Sequence, residues 1–286
     1  MGVDSMKLTL LGTAAIGYPL AFCNCENCQT ARIKRGKSIR KRASLLINDD
    51  LLVDLGPDTQ TAMSMYNKDM GKIKYLLQTH IHTDHCDIGL LTTRITYLTK
   101  QKKQNLLELY AHPKCLNIIS KKIEEYENVK LSTKEGQEKL FMKCIEINAN
   151  EIKEFGNYKI KAIESNHDKI NGSLLYVVES NGKSIFYATD TSELSDDALK
   201  QLSTYKLDVV IMDHTFGDTE YSYSHLNEKL FIEQINKMKS LNIIDKNTKI
   251  YGTHISHEGM PYHELSEELA NKNGYNIAYD GLEIEL

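Results

Sequence analysis

The chain has 286 residues, of which 41% are hydrophobic and 26% are charged. This balance excludes an intrinsically disordered chain and allows a substantial buried core. No apolar run reaches the roughly 20 residues that cross a bilayer. The net charge of −4 argues against a general electrostatic affinity for nucleic acid, although a local basic patch could still contact it.

The first residues carry no export signal, because residues 1–16 lack a basic start followed by an apolar core. Met6-Lys7-Leu8 resembles a natural start, so residues 1–5 are interpreted as a non-native extension. We therefore expect a cytoplasmic protein with no membrane partner. A homodimer is the candidate assembly, but the sequence does not specify the oligomeric state.

Three of the six cysteines follow the first predicted strand, in the C-x-C-x-x-C pattern of Cys23, Cys25 and Cys28. They stand too close together for a disulfide ladder, and in a protein without an export signal this spacing favours metal thiolates. Three thiolates leave a tetrahedral zinc one ligand short, and His225 is the candidate for the fourth. A redox or free-thiol role is the alternative.

A basic run follows the cysteines, with seven lysines and arginines in the eleven residues 32–42. A solvated surface loop is the simplest interpretation. The functional alternative is that Arg42, which stands nearest to the following strand, helps to hold an anionic substrate. Residues 20–42 are thus predicted to form an insertion that carries the zinc ligands and the basic run.

The rest of the chain alternates short apolar strands with amphipathic helices. Strands are predicted at 7–11, 43–47, 51–54, 73–78, 108–111, 158–163, 173–179, 184–188, 208–212, 248–252 and 276–278. Helices are predicted at 58–67, 87–98, 114–127, 195–201, 224–241 and 262–272, with Ser224 as the N-cap of the fifth. Without a repeat, a low-complexity segment or a linker, the pattern predicts one α/β domain over residues 1–286.

The most informative stretch is Thr-His-Ile-His-Thr-Asp-His at 79–85, which contains His80, His82, Asp84 and His85. It follows an apolar run of strand length and precedes a predicted helix, so it is expected on a tight loop. His80 and His82 point the same way on an extended backbone and can reach one cation, whereas Asp84 and His85 can face a second. A polar loop with solvated histidines is the alternative, but this density of ligand types favours metal binding.

Polar residues stand directly after four other predicted strands, at His167, Asp190, Asp213-His214 and His254. Taken alone, each is typical of a turn or a cap. Taken together, they supply what the stretch at 79–85 lacks. They offer a third histidine for one metal, a carboxylate that could bridge both metals, and a histidine for the other.

These residues resemble the metallo-β-lactamase superfamily over nearly the whole chain from Lys7. The resemblance rests on Leu-Leu-Gly-Thr near the start, Leu-Val-Asp54-Leu-Gly-Pro-Asp, the stretch at 79–85, Ser-Asn-His167, Tyr-Ala-Thr-Asp190-Thr and Gly-Thr-His254-Ile-Ser-His257. The cysteine insertion, the basic run and the closing T-H-I-S-H are similar to the PhnP branch, which contains phosphoribosyl cyclic phosphate phosphodiesterases. The resemblance implies an αββα sandwich with a metal site at one edge of the two sheets.

Carried over residue by residue, the resemblance implies two divalent active-site metals, bridged by Asp190, and one structural zinc. The implied ligands are His80, His82 and His167 for the first metal, Asp84, His85 and His254 for the second, and Cys23, Cys25, Cys28 and His225 for the zinc. Asp54 would anchor the motif loop instead of binding a metal. Histidine and carboxylate ligands suit manganese, zinc or iron in the active site.

The expected activity is hydrolysis of a small, cyclic phosphodiester by hydroxide held between the two metals, with Asp84 and Asp190 in the catalytic group. His214 and His257 are the candidates that would protonate the leaving oxygen. The position of His214 departs from the branch pattern, which puts its role in question.

Three other functions stay open. One is a tRNase Z-like RNA endonuclease, against which stand the lack of a long inserted arm and the small basic charge. The second is hydrolysis of a lactam, thioester or lactone by the same metal pair. The third is a PqqB-like member without hydrolytic activity, against which the complete ligand set argues.

Overall fold

The structure is a computed structural model that describes residues 5–95 and 104–286. Its strands are β1 (Lys7–Gly12), β2 (Ser44–Ile47), β3 (Leu51–Val53), β4 (Tyr75–Leu77), β5 (Leu107–Ala111), β6 (Met142–Glu146), β7 (Ile152–Phe155), β8 (Tyr158–Glu164), β9 (Leu174–Ser180), β10 (Lys183–Ala188), β11 (Val209–Asp213), β12 (Lys249–Thr253), β13 (Asn276–Ile277) and β14 (Glu283–Glu285). Its α-helices are α1 (Glu26–Lys34), α2 (Thr59–Met65), α3 (Ile88–Thr92), α4 (Pro113–Glu127), α5 (Lys134–Leu140), α6 (Asp196–Leu202), α7 (Glu228–Ser240) and α8 (His263–Lys272).

These strands form two seven-stranded sheets. The first has the order β14-β1-β2-β3-β4-β5-β6 and the second has the order β13-β12-β11-β10-β9-β8-β7. Strands β3 to β6 of the first sheet are parallel, as are β10 to β13 of the second. Loops that leave the carboxyl ends of parallel strands gather at one edge, which is where α/β sheets place ligand sites.

Three apolar clusters define the layers. One lies between the two sheets and contains Leu45 and Ile211. The other two lie on the outer faces, where Leu46 packs with α4 residues and Met212 packs with α7 residues. Neighbouring residues of one strand point to opposite faces, so Leu45 and Leu46 enter different clusters and the central strands, such as β2 and β3, are buried on both sides. The predicted αββα sandwich is confirmed.

Five elements escape the sequence-based prediction: the strands β6, β7 and β14 and the helices α1 and α5. The helix α5, with the sequence KEGQEKL, has little apolar periodicity to detect, and in β7 the apolar Ile152 and Phe155 do not alternate. Helix α1 begins inside the cysteine pattern, with Cys25 as its N-cap. At these places the residue pattern reflects an exposed surface or a cysteine motif, and it therefore carries little information about secondary structure.

The predicted helices α2, α3 and α7 are shorter than expected, and the differences are largest in α3 and α7. Helix α7 begins at Glu228, because Asn227 and not Ser224 is its N-cap and accepts a 2.9 Å hydrogen bond from the backbone N of Leu230. Helix α3 ends at Thr92, and the predicted residues 96–98 lie outside the described residues. Within the described ranges, no helix is long and apolar enough to span a membrane.

Candidate active site and metal centres

The loop after β4 is shaped by two buried side chains, Gln78 and Asp54. The side-chain amide of Gln78 donates to the carbonyl oxygens of His80 at 2.8 Å and His85 at 3.0 Å. Asp54, which follows β3 directly, accepts from the backbone N of Thr79 at 2.8 Å and lies 2.7 Å from Nδ1 of His85. Asp54 therefore holds the motif loop in place, which is the anchoring position that the sequence predicts for it.

The first candidate metal group consists of His80, His82 and His167. Nε2 of His167 and Nδ1 of His82 lie 3.1 Å apart. Nε2 of His80 is buried and has no hydrogen-bond partner among the described residues. Oδ1 of Asp190 faces the same group, 3.6 Å from Nε2 of His167 and 3.8 Å from Nε2 of His80. Three imidazole nitrogens thus form the group, and a carboxylate oxygen faces two of them.

The second candidate group consists of Asp84, His85, Asp190 and His254, and all four are buried. Nε2 of His85 and Nε2 of His254 lie 3.3 Å apart. Oδ2 of Asp190 lies 2.9 Å from the former nitrogen and 3.1 Å from the latter. Asp84 completes the group with Oδ2 3.4 Å from Nε2 of His85. Since its two oxygens face different groups, Asp190 has the geometry of a bridging ligand.

The second ring nitrogen of each histidine in these groups has a polar partner, which fixes the ring orientation. These partners are Oγ1 of Thr79 for His80 at 3.0 Å, a carboxylate oxygen of Asp168 for His82 at 3.5 Å, Asp54 for His85, the carbonyl of Ser224 for His167 at 3.2 Å, and Oγ1 of Thr215 for His254 at 2.8 Å. Each ring therefore turns one nitrogen towards the group and the other towards its support.

Three site residues adopt a left-handed backbone within two residues of the end of a strand. The φ angles are 63° at Asp54 after β3, 52° at Asp190 after β10 and 62° at His254 after β12. This region is unfavourable for residues with a side chain, and such strain clusters at functional sites. At these positions it turns the side chain across the strand ends, towards the space between the two sheets.

The donor set fits divalent cations. Two nitrogens that each lie about 2.0–2.1 Å from one tetrahedral zinc are about 3.3 Å apart, which matches the observed nitrogen pairs. The unpartnered buried nitrogen of His80 would otherwise carry a desolvation cost, and a cation removes it. The mixture of imidazole and carboxylate suits zinc, manganese or iron equally.

His225 lies in this site and not with the cysteines, so its predicted role as a zinc ligand is wrong. Its Nδ1 is 2.6 Å from Oδ2 of Asp213, and its ring stacks on His254 with the centroids 5.1 Å apart. The cause is Asp213 at the end of β11, because Oδ1 of this buried carboxylate accepts from the backbone N of Leu226 at 3.1 Å and folds the loop back. Burial lowers the pKa of His225, but Asp213 more than offsets this and raises it to about 9.

His214 points away from the site, so its predicted catalytic role is wrong. Side chains alternate along β11 and beyond it, and Asp213 takes the side that faces the metal groups. The His214 ring is buried in the outer layer, with Nε2 2.9 Å from the Tyr275 hydroxyl and its centroid 4.8 Å from that of Phe231. Burial lowers its pKa, which favours the neutral ring.

His257 completes the cysteine cluster, so its predicted catalytic role is also wrong. Its Nδ1 lies 3.5 Å from Sγ of Cys23 and 3.4 Å from Sγ of Cys25, and these residues form one ligand group with Cys28. All three cysteines are free of disulfides. The hydrogen bond from His257 lowers the pKa of Cys25 to about 6, which favours the thiolate that a metal requires. A Cys₃His set suits structural zinc.

The last three residues of the basic run are integrated into the fold, whereas the four earlier ones are exposed. Arg42 donates to Oδ2 of Asp58 at 2.9 Å, and Arg40 is buried against Oγ1 of Thr13 at 2.8 Å. Lys41 lies 3.6 Å from the carboxylate of Asp280. Because the charge of Arg42 is already matched by Asp58, contact with an anionic substrate would require this pair to open, and the assignment stays a prediction.

The site combines residues that sequence proximity links with residues that only the fold brings together. The stretch at 79–85 and the four strand ends are readable in the sequence. The roles of His225 and His257 depend on loop closure, and a weak sequence signal was available only for His257, which follows His254 by three residues in the T-H-I-S-H segment. In the structure, the bridge between Ala14 and Ile255 brings this segment beside the residues that precede the cysteine insertion.

Comparisons with known proteins agree with this fold. A family model described as "Beta-lactamase superfamily domain" matches residues 50–255. The chain is 29% identical over 213 residues to Ribonuclease Z from Sulfurisphaera tokodaii, a match that covers 62% of this chain and 71% of that protein.

Two solved structures have the same fold. One is a diphosphatase from the PhnP family, with a TM-score of 0.76, 23% identity and coverage of 99% of this chain and 98% of that chain. The other is zinc-bound PqqB from Methylobacterium extorquens, with a TM-score of 0.72, 19% identity and coverage of 98% of this chain and 100% of that chain. At these identities the likeness establishes the fold, and the activity must be argued from the site.

Proposed function

Because this chain belongs to the beta-lactamase superfamily, we propose that it is a metal-dependent phosphodiesterase that uses two divalent cations. The observation that carries the proposal is the pair of groups joined at Asp190, with the Asp213–His225 pair directly beside them. When bound, the two cations would activate a water molecule for attack and draw negative charge from the phosphoryl oxygens. This chemistry suits an anionic diester.

The side chains hold this arrangement before substrate arrives. Asp190 places one oxygen towards each group, and Asp54 and Thr215 fix the rings of His85 and His254. Preorganised ligands need no rearrangement during the reaction, which is a major source of catalytic power. The all-buried second group also keeps bulk water away from these ligands.

His225 is the proton donor in this proposal. Its Nδ1 is held by Asp213, so Nε2 is the nitrogen that can serve the substrate. In the reaction, the oxygen of water forms a new bond to phosphorus, the bond from phosphorus to the leaving oxygen breaks, and Nε2 gives its proton to that oxygen. The attacking water releases one proton to solvent, and His225 takes one proton back from solvent, so the net reaction consumes one water per diester cleaved.

The preferred substrate class is a small phosphodiester, in line with the PhnP-like cysteine insertion. The test is hydrolysis of bis(p-nitrophenyl) phosphate by protein loaded with zinc or manganese, compared with a chromogenic lactam and a tRNA precursor. We expect measurable turnover of the diester and none of the lactam. Cleavage of the lactam alone would reject the proposal, and so would the absence of all activity in fully metal-loaded protein, which would favour a PqqB-like role.

An RNA endonuclease is the second candidate, because the curated relative at 29% identity is a Ribonuclease Z. The same metal groups would serve it, and the tRNA precursor in the assay separates the two functions. Specific cleavage of the precursor at a rate above that of the small diester would favour the nuclease. The net charge of −4 argues for the small substrate, since RNA binding depends strongly on positive charge.

A further inference from the structure

Three aromatic rings extend outward from His225 along the loop between β11 and α7. The Phe216 ring stands edge-on to the ring of His225, with the centroids 5.7 Å apart. Tyr223 lies 5.8 Å from Phe216, and Tyr221 lies 5.7 Å from Tyr223. We call Phe216, Tyr221 and Tyr223 the aromatic platform. Tyr223 is 74% exposed and is joined to His225 through the ring of Phe216, so it offers an accessible aromatic face two rings away from the candidate metal ligands.

The platform is held on a firm support. The Tyr221 hydroxyl donates to Glu258 at 3.0 Å, and the backbone N of Asp218 donates to the carbonyl of Gly259 at 3.0 Å. A Cβ atom at Gly259 would overlap the carbonyl of Phe216, so the two segments approach as closely as their backbones allow. The same segment carries His254 and His257, which ties the rings to both metal centres.

The charge around the platform limits what it can bind. Residues 216–226 include Asp218 and Glu220 but no lysine or arginine, and Glu258 adds a third carboxylate beside Tyr221. A second phosphate would be repelled here. A neutral, planar group attached to the phosphodiester would be accepted, because it can stack on an aromatic face without bringing negative charge.

The direction of the platform assigns this group to one side of the scissile bond. His225 lies between the platform and the metal groups, with its ring 4.6 Å from that of His167 and 5.7 Å from that of Phe216. If His225 protonates the leaving oxygen, the leaving group lies on the platform side. A neutral, planar group joined to such an oxygen through a sugar is a nucleoside.

We propose that the aromatic platform stacks on the base of a nucleoside whose oxygen is the leaving atom, so that the substrates are nucleoside phosphodiesters, including cyclic ones. This inference rests on the proposed phosphodiesterase function. A nucleoside phosphodiester differs from a sugar cyclic phosphate without a base, because the latter would leave the Tyr223 ring without a stacking partner.

The experiment compares matched substrates. The 2′,3′- and 3′,5′-cyclic phosphates of adenosine are each set against the same cyclic phosphate of methyl riboside, which lacks the base. The variants are Tyr223→Ala, Tyr223→Phe, which keeps the ring, and Tyr126→Ala, which removes a tyrosine that is 77% exposed on α4. Because the chain contains no tryptophan, binding of adenosine monophosphate can also be followed without turnover, by tyrosine fluorescence or calorimetry.

We expect Tyr223→Ala to raise KM for the adenosine substrate roughly tenfold, as for loss of one base–aromatic stack, with little change in kcat. Binding of adenosine monophosphate should weaken by a similar factor. The riboside substrate should be unaffected, and Tyr223→Phe and Tyr126→Ala should behave like the wild type. Equal effects of Tyr223→Ala on both substrates, or no effect on either, would overturn the platform.

The two proposals fail separately. Wild-type protein that hydrolyses the riboside and the adenosine diester equally well would reject the platform and leave the phosphodiesterase intact. Metal-loaded protein that cleaves neither cyclic diester nor bis(p-nitrophenyl) phosphate would reject the phosphodiesterase, and the platform with it.

Discussion

At the scale of single residues, position in the fold outweighs residue type. His214 and His225 are both histidines near the end of β11, yet one lies against Phe231 in the outer layer and the other lies against Asp213 in the site. Asp213 makes the difference, because its buried carboxylate binds the ring of His225 and the backbone of Leu226 together. The effect of replacing His225 can therefore be compared with the effect of replacing His214 in the same protein.

The first prediction concerns His225→Gln, with His214→Gln as its control. We expect His225→Gln to lower kcat by roughly 10²–10³-fold on a diester with an alcohol leaving group, as for the loss of a general acid. The loss should be much smaller with p-nitrophenolate, which leaves without a proton. His214→Gln should lower the melting temperature and leave kcat unchanged at a permissive temperature. Equal losses on both leaving groups would contradict the assignment of His225 as proton donor.

The second prediction concerns Asp168, whose carboxylate lies 3.5 Å from Nε2 of His82. This contact leaves Nδ1 of His82 for the first metal group. We expect Asp168→Asn to weaken metal binding at that group by roughly 10–100-fold, the usual effect of removing such a support. Isothermal titration of metal-stripped protein measures it.

Asp168 also accepts from the side chain of Asn171 at 2.8 Å, so the loop itself must be controlled. Asn171→Ala removes that bond while keeping the carboxylate beside His82. If Asn171→Ala weakened metal binding as much as Asp168→Asn, the effect would come from the loop and not from the orientation of His82.

At the scale of elements, strands were easier to predict than the connections between them. The predicted strand at 158–163 is observed at Tyr158–Glu164, because its buried apolar residues alternate with the partly exposed Lys159 and Lys161, which is the period of a strand. The start of α7 was displaced, since Asn227 competes with Ser224 as a cap and only the folded loop decides between them. Partners across loops, such as Asp213 with His225 or His257 with the cysteines, have no local signature.

The third prediction treats the cysteine insertion as one element joined to the segment after β12. Cys25→Ser should lower the melting temperature by roughly 3–5 °C, equivalent to about 2–3 kcal/mol at this chain length. His257→Ala should cost about the same, and the double variant little more, because both residues hold one ion. Thermal unfolding followed by circular dichroism measures all three.

A distant cysteine provides the matched control. Cys144 lies in β6, away from the cluster, so Cys25→Ser combined with Cys144→Ser should be additive. Additive losses for Cys25→Ser and His257→Ala as well would mean that these two residues do not share a ligand site.

The fourth prediction concerns the first residue of α8, His263, whose Nδ1 lies 3.0 Å from Nη2 of the buried Arg40. Burial, with the charges of Arg40 and Lys37, lowers its pKa to about 3, although Glu267 lies 3.6 Å away. The folded chain thus keeps this ring neutral, whereas the unfolded chain protonates it near pH 6.5. Its contribution to stability is present above pH 6.5 and is lost as the pH falls towards 3.

His263→Gln removes this titration and keeps an acceptor for Arg40. The free energy of unfolding of the wild type should fall relative to the variant by about 1–2 kcal/mol between pH 6.5 and 5. Urea unfolding at a series of pH values measures the free energy of unfolding of both proteins. Subtracting the value for the variant from that for the wild type cancels the titration of the neighbouring Asp280, which both proteins contain. A difference that does not change with pH would mean that His263 titrates equally in both states.

At the scale of the whole molecule, the metal groups join the two sheets. His80, His82, Asp84 and His85 follow a strand of the first sheet, whereas the other ligands follow strands of the second. The α/β character and the ligand types were readable from strand periodicity and from the polar residues at strand ends, whereas the αββα sandwich was implied by the family resemblance. A bridging carboxylate at a strand end was readable as a possibility, but its assignment to Asp190 was implied by the family resemblance, because no local pattern encodes a distance between sheets.

The last prediction follows from this position across the sheets. Metals that bind only the folded state stabilise it by about 4 kcal/mol per site at a free concentration of 1,000 times Kd, so added metal should raise the melting temperature of the wild type. Asp190→Ala should lose both active-site ions, keep the cysteine-bound zinc and show no such rise, while Asp197→Ala on the exposed start of α6 should behave like the wild type. Mass spectrometry of the metal content, together with the melting temperature, tests this prediction. Retention of two active-site ions in Asp190→Ala would exclude Asp190 as the bridge.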